Sequence, residues 1–216
     1  RSADTTLADI KKIRGAHGGT VNDVVLTAIA GGFRSLLLSR EEPVEDRFVR
    51  SLVPVSIRRD REKGLYNNRV AGVFVDLPVG ISDPVERLAA VRRAMDERKE
   101  HHQSDATEVL LNVASYSPPA LLALAARLFA NLDQHAVQTI TTNVPGPQIP
   151  LFAAGRRMLS AYPYVPLTGS VRIAVAIFSY AGTVGFGITG DYESASDLGV
   201  LASGIEAGIN ELLAVS

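Results

Sequence analysis

The run Gln138-Thr139-Ile140-Thr141-Thr142-Asn143-Val144-Pro145-Gly146-Pro147 joins β-forming residues to an abrupt, proline-flanked glycine. A strand that ends on Thr142-Asn143 and then turns rigidly sets a hydroxyl and an amide at the rim of a sheet. Donors fixed in that way can stabilise charge developing on a ligand. The plainer alternative is a strand exit with ordinary turn chemistry, since proline and glycine punctuate loops everywhere. Asn22-Asp23 offers a second polar pair. Thr20 as N-cap with Asp23 at the third helical position is a capping-box variant, and an acid in a first turn suits the helix dipole. That accounts for Asp23 but not for Asn22, whose amide can fix a neighbouring loop or line a cavity.

Imidazole chemistry would have to use His17, His101, His102 or His135. The run His101-His102-Gln103-Ser104-Asp105 approaches a His-His-x-x-x-Asp-Gly pattern, in which one imidazole takes the proton of an alcohol. Its spacing is wrong: two residues separate the pair from Asp105, and Ala106 replaces the glycine. The pair also trails Asp96-Glu97-Arg98-Lys99-Glu100, so it reads as a solvated helix terminus. His17 sits in a glycine-rich turn and His135 precedes a strand, neither with a recognisable triad. Two-histidine metal spacing is lacking, so no metal site is expected. Arg58-Arg59 has the charge to hold a phosphate, but Asp60 and Glu62 favour a solvated loop. Gly185 to Gly190 matches G-x-G-x-x-G, yet it lies within a strand pattern and opens no helix.

At 216 residues and 46% hydrophobic, the chain is long enough for one large domain with a substantial core. A net charge of −1 leaves no basic footprint for nucleic acid. Without cysteine there is no thiolate catalysis, disulfide or thiolate metal site, and a cytoplasmic location is the expectation. No apolar run reaches the ~20 residues needed to span a bilayer, and no signal peptide opens the chain. Arg1-Ser2-Ala3-Asp4 lacks an initiator methionine. The expectation is a processed, trimmed or cloned piece, or the second half of something longer.

Periodicity supplies the elements that must hold these residues. A helix is expected over Thr6–Arg14, with Asp4 as its cap and Gly15, Gly18 and Gly19 breaking it. A stronger helix runs from Thr20 to Ser39 on an i, i+3, i+4, i+7 stripe from Val21 to Leu37. Strands are expected over Phe48–Ile57 and Val70–Leu77. Asp83-Pro84 opens a helix to Glu100. Helices follow at Ala106–Ser115 and Pro118–Asn131, the second apolar nearly all round and therefore suited to a core, an interface or a lipid surface. Strands follow at Val137–Asn143, within Arg156–Tyr164, and at Val171–Tyr180 and Thr183–Asp191, the last two as a hairpin about Ala181-Gly182. Val171–Tyr180 is apolar on both alternating sets, which predicts a central strand. Gly185, Gly187 and Gly190 predict a bulge, or close approach by another backbone or a ligand. Ser194 or Ser196 caps a last helix with Leu198, Leu201, Ile205, Ile209 and Leu212 inward. The economical reading is one α/β domain over residues 1–216, with a mixed β-sheet and flanking helices.

Taken in order, several segments resemble the C-terminal half of the bacterial wax ester synthase/diacylglycerol acyltransferase family. They are Thr20-Val21-Asn22-Asp23-Val24-Val25-Leu26, Val53-Pro54-Val55-Ser56-Ile57-Arg58, Asn67-Asn68 ahead of a strand closing on Leu77-Pro78, Thr142 to Pro147, and Gly190-Asp191 after the final hairpin. The resemblance implies one half of a coenzyme A-dependent acyltransferase fold of the chloramphenicol acetyltransferase-like kind, with a substrate tunnel between two similar halves. It implies transfer of a long acyl chain from acyl-CoA to diacylglycerol or a fatty alcohol, giving triacylglycerol or wax ester, with no cofactor besides that donor. The family's His-His-x-x-x-Asp-Gly lies in an N-terminal half, which this chain lacks. The chain is therefore expected to be inactive alone and to need that half as partner.

Within that resemblance, Thr142 is the candidate oxyanion donor, and Asn22, Asn143 and Gly146 are candidate substrate-binding residues. The apolar segment Leu121–Phe129 would guide lipid, with peripheral contact at a membrane or lipid droplet. An unpartnered half should also expose an apolar face. Two other readings stay open here: a non-catalytic module binding acyl-lipid or a lipid-droplet surface, and a compact acyltransferase or condensation-type domain using His17 or His135.

Overall fold

The computed structural model describes residues 1–56, 70–102, 137–167 and 169–216. The expected helices over 106–115 and 118–131 lie outside the described residues, as do Arg58-Arg59, Asn67-Asn68, Gln103 to Asp105, and His135. The described elements run β1 (Ser2–Thr6), α1 (Leu7–His17), α2 (Val21–Ser39), β2 (Val49–Ser56), β3 (Val70–Leu77), α3 (Pro84–His102), β4 (Thr139–Pro145), β5 (Phe152–Ala153), β6 (Arg156–Arg157), β7 (Ile173–Tyr180), β8 (Thr183–Gly190) and α4 (Leu198–Ala214). Six strands form one sheet in the order β1-β8-β7-β4-β2-β3, and β5 and β6 make a separate small hairpin. The large sheet is mixed. β4 runs parallel to both β2 and β7, while the other pairings are antiparallel. The central position expected for β7 is borne out, as is its hairpin to β8, whose turn residues Ala181 and Gly182 have φ of 45° and 90°.

Strand alternation sends one set of side chains to the helices and the other to the opposite face. Val53, Val73, Val75, Leu77, Ile173, Val175, Ile177, Val184, Phe186 and Ile188 join α1, α2, α3 and α4 in a single buried core. α2 and α4 pack closely because small residues meet, Ala28 against Gly208 and Gly32 against Gly204. All five residues expected to point inward from α4 are buried. α2 has the length and composition to cross a membrane, with a mean hydropathy of 1.4, contrary to the sequence expectation. Since 67% of that window is buried within the domain, it is a core helix.

Local chemistry fixes the helix starts. Asp23 N–H donates to Thr20 Oγ1 at 3.2 Å, and Thr20 N–H donates to Asp23 Oδ2 at 2.7 Å, completing the expected capping box. Asp83 Oδ1 likewise accepts from the backbone of Val85 and Glu86 at the start of α3. Thr20→Ala should cost about 1 kcal/mol of stability. Scanning calorimetry should then show a midpoint lowered by roughly 2–4 °C; an unchanged midpoint would contradict a stabilising cap.

Three local expectations are corrected. Asp4 is not a cap: it lies in β1, paired with Gly185, while Thr6 caps α1 through Asp9. Gly15 does not break α1, which continues to His17 and stops at Gly18, where φ is 76°. Neither Ser194 nor Ser196 caps α4. Asp197 holds that position, and Ser194 instead donates to Asp191. Asp197 is occupied by Arg40, whose guanidinium holds its carboxyl below the usual range. The strand segment expected within Arg156–Tyr164 is present as Arg156–Arg157, paired with Phe152–Ala153.

The rest of that stretch is a strap lying over the sheet face opposite the helices. Tyr180 Oη donates to Met158 O at 3.0 Å and accepts from Leu151 N at 2.7 Å, which ties down the strap's first turn. Further along, the strap crosses β8. A Cβ built on Gly187 would sit 1.7 Å from Pro163 O, and one on Gly185 would sit 2.8 Å from Ala161 O. Gly185 and Gly187 therefore record approach by a backbone, one of the alternatives expected, whereas a Cβ on Gly190 would meet the side chains of Leu198 and Ala195.

Candidate functional site

β4 is the element around which the candidate residues gather. Its pairing with β2 covers only Ser51↔Thr139 and Leu52↔Ile140, whereas its pairing with β7 continues to Pro145↔Ser179. Beyond Ile140 the two strands part. Chain direction also reverses there: β2 leads outward to β3 and β4 leads the other way to β7. In open α/β sheets such a switch point at the carboxyl ends of parallel strands is where ligands bind. The strand runs two residues past the expected Asn143, because the ladder with β7 persists through Val144 and Pro145.

Thr142 and Asn143 are consecutive in this strand, so their side chains leave opposite faces. Thr139 and Thr141 point to the helices and are buried, Thr141 accepting from Ser51 Oγ at 2.9 Å. Asn143 shares that face, and its Nδ2 donates to Asn22 Oδ1 at 3.4 Å, joining β4 to the start of α2. Thr142 points to the other face beside Ile140 and Val144, half-buried, and its hydroxyl donates to no described residue. The structure thus brings Asn22 and Asn143 together and separates Thr142 from both.

Gly146 packs tightly on β7: a Cβ there would lie 2.3 Å from both Phe178 Cζ and Ser179 O. Its N–H donates to Ser179 Oγ at 3.2 Å and its carbonyl accepts from Gln148 Nε2 at 3.0 Å. Gln148 Nε2 also donates to Ser179 Oγ at 3.1 Å, and Gln148 Oε1 accepts from Gly182 N at 3.0 Å. Ser179 and Gln148 were not singled out by sequence, since nothing in their types marks a site.

Behind Asn22, Arg92 of α3 donates to His17 O at 2.7 Å and packs on the turn between α1 and α2. His17 Nε2 and Asp23 Oδ1 are buried with no hydrogen-bond partner among the described residues, so nothing there orients His17 as a general base. His101 and His102 lie in α3.

The uncovered part of the Thr142 face is apolar. Phe74 is 43% and Val144 50% exposed, with Leu52 and Ile140 half-buried between them. Apolar exposure continues on the β5–β6 hairpin and strap, where Phe152 is 66% and Leu159 83% exposed. Exposed apolar side chains are thus present among the described residues, as expected. A pocket of about 230 Å³ lies elsewhere, lined by Arg34, Arg87, Ser82 and Glu211 on the helical layer. Arg87 is buried there, which lowers its pKa, and its guanidinium donates to Ile81 O and Ser82 O while Arg34 donates to Val79 O and Gly80 O. Those bonds hold the loop between β3 and α3.

A mixed sheet with helices on one face, opened between two parallel strands, is the architecture of one half of a condensation-domain or coenzyme A-dependent acyltransferase fold. The epimerization domain from the third module of tyrocidine synthetase B shares it, with a TM-score of 0.60 at 11% identity over 100% of this chain and 47% of that chain. More particularly, the chain belongs to the WS/DGAT family, because the family model of the WS/DGAT C-terminal domain matches residues 66–213. A probable diacylglycerol O-acyltransferase of Mycobacterium tuberculosis is 37% identical over 215 residues, covering 100% of this chain and 46% of the relative. The wax ester synthase/diacylglycerol acyltransferase of Marinobacter aquaeolei has the same fold, with a TM-score of 0.76 at 23% identity over 98% of this chain and 48% of that one. The chain spans about half the length of the curated relatives it matches.

Proposed function

We propose that this chain forms one wall of the substrate tunnel of a long-chain acyl-CoA-dependent O-acyltransferase that makes triacylglycerol or wax ester. The observation that carries the reading is Thr142, whose hydroxyl donates to no described residue, on a face bearing exposed apolar side chains at the switch point between β2 and β4. The names of the relatives and the half-length match support it. The other wall comes from an N-terminal half bearing His-His-x-x-x-Asp-Gly, and the exposed residues Phe74, Val144 and Phe152 are suited to contacts with that half and with acyl chains.

The chemistry then divides between the two halves. A histidine of the N-terminal half takes the proton from the acceptor hydroxyl, and the oxygen attacks the thioester carbon. The carbonyl oxygen becomes an oxyanion, toward which Thr142 donates its hydroxyl proton as a hydrogen bond. Collapse breaks the C–S bond, the histidine returns its proton to the leaving thiolate, and ester and free CoA result. Asn22 and Asn143 hold α2 against β4 so that the strand end keeps its place. Acyl-CoA is the only activated group required, and the site works at the edge of a membrane or lipid droplet in the cytoplasm.

The test combines this chain with the matching N-terminal half and supplies labelled long-chain acyl-CoA with diacylglycerol or a long-chain alcohol. Labelled triacylglycerol or wax ester with stoichiometric CoA release is expected. Absence of ester with either acceptor would overturn the reading.

A further inference from the structure

Proton accounting around Ser179 leaves one donor unassigned. A serine hydroxyl offers two lone pairs and one proton. Gln148 Oε1 accepts from Gly182 N–H, so the amide orientation is fixed and Nε2 must face Ser179 as a donor. The Gly146 N–H, which can only donate, takes the other lone pair. Both lone pairs of Ser179 Oγ are thus occupied by N–H groups, and its own proton must point in the remaining direction, where no described residue accepts it. Ser179 is half-buried near the carboxyl end of β7, in register with Pro145, the last residue of β4.

Ser179 stands three residues beyond the Thr142 partner Ala176 on the adjacent strand. A strand rise of ~3.3 Å and a strand spacing of ~4.8 Å put the two positions about 11 Å apart. Their side chains also leave different faces of the sheet. Ser179 therefore serves a different atom from the one that Thr142 serves.

Resting on the acyltransferase reading, we propose that Ser179 is a substrate-contacting residue that donates a hydrogen bond to a carbonyl oxygen of a bound substrate, remote from the reacting carbon. Two substrates carry such a group: acyl-CoA through the amides of its pantetheine arm, and diacylglycerol through its esters. A long-chain alcohol carries none. The bond holds ground state and transition state alike, so its loss raises KM and leaves kcat in place.

The experiment measures kcat and each KM for the assembled two-half enzyme as wild type, Ser179→Ala and Ser179→Thr. Ser179→Ala should raise one KM about fivefold to tenfold with kcat within twofold, and Ser179→Thr, which keeps the hydroxyl, should stay within threefold of wild type. A rise confined to acyl-CoA, seen with either acceptor, assigns the carbonyl to the pantetheine arm. A rise confined to diacylglycerol, and missing with the alcohol, assigns it to the ester. Unchanged KM values in Ser179→Ala, with or without a lower melting midpoint, would make Ser179 a structural tie only and overturn the proposal. Wild-type turnover is the control: its absence counts against the acyltransferase reading, whereas turnover with unshifted KM removes only Ser179.

Discussion

Thr142→Ala in the assembled enzyme should lower kcat at least tenfold, and toward a hundredfold if this hydroxyl is a main oxyanion donor. The expectation comes from charge. A tetrahedral intermediate puts a full negative charge on the former carbonyl oxygen, and removing one preorganised donor typically costs roughly 3 kcal/mol of barrier. Thr142 has the needed freedom, since its hydroxyl donates to no described residue and lies on the face opposite the described helices. Thr142→Ser should retain most of the activity because it keeps the hydroxyl. The comparison with Thr141→Ala is informative: Thr141 is buried on the opposite face, bonded to Ser51. Its loss should act through stability. A kcat change under twofold for Thr142→Ala would remove Thr142 from the mechanism.

Gly187→Ala should be among the most destabilising single-methyl changes in the domain. The added carbon would meet Pro163 O at 1.7 Å and Pro163 C at 2.9 Å, which are backbone atoms and cannot rotate away. Either β8 or the strap must move, and overpacking of this kind costs about 3 kcal/mol. For a domain of this size the melting midpoint should then fall by roughly 6–12 °C. Gly199→Ala is the matched control, since a Cβ there meets nothing within 4 Å. Placed in the first turn of α4, it should be neutral or slightly stabilising. Equal midpoints for the two variants would mean that the strap does not press on β8.

Local signals in the sequence were read well because they act over a few residues. The Thr20–Asp23 capping box and the Asp83-Pro84 helix start are complete within four positions, and the apolar stripe of α2 states its own buried face. β1 was missed for the opposite reason. Ser-Ala-Asp-Thr-Thr has a single buried apolar side chain, Ala3, and its strand state depends on pairing with residues 183–187, far away in the chain. The cap of α4 was misassigned because Ser194 had a better partner in Asp191, a competition that composition does not reveal.

The candidate residues were legible in part. The Thr142–Pro147 run lies at the end of β4, as its sequence suggests, and the family resemblance named Asn22. The contact between Asn22 and Asn143 bridges 121 residues and needs the fold. Strand alternation alone, however, already requires Thr142 and Asn143 to face apart, so the proposed donor and the residue bonded to Asn22 cannot share one face. Ser179 was beyond reach, since its donor character depends on the orientation of the Gln148 amide, which Gly182 sets.

The proposed function divides the labour, giving the electrophile-side wall to this chain and the proton acceptor to another half. Ester formation from labelled acyl-CoA should be followed for this chain alone, for the N-terminal half alone, and for the two together at matched concentration. The account predicts background rates for each half and sustained turnover only for the pair. Turnover by this chain alone at the rate of the pair would contradict it.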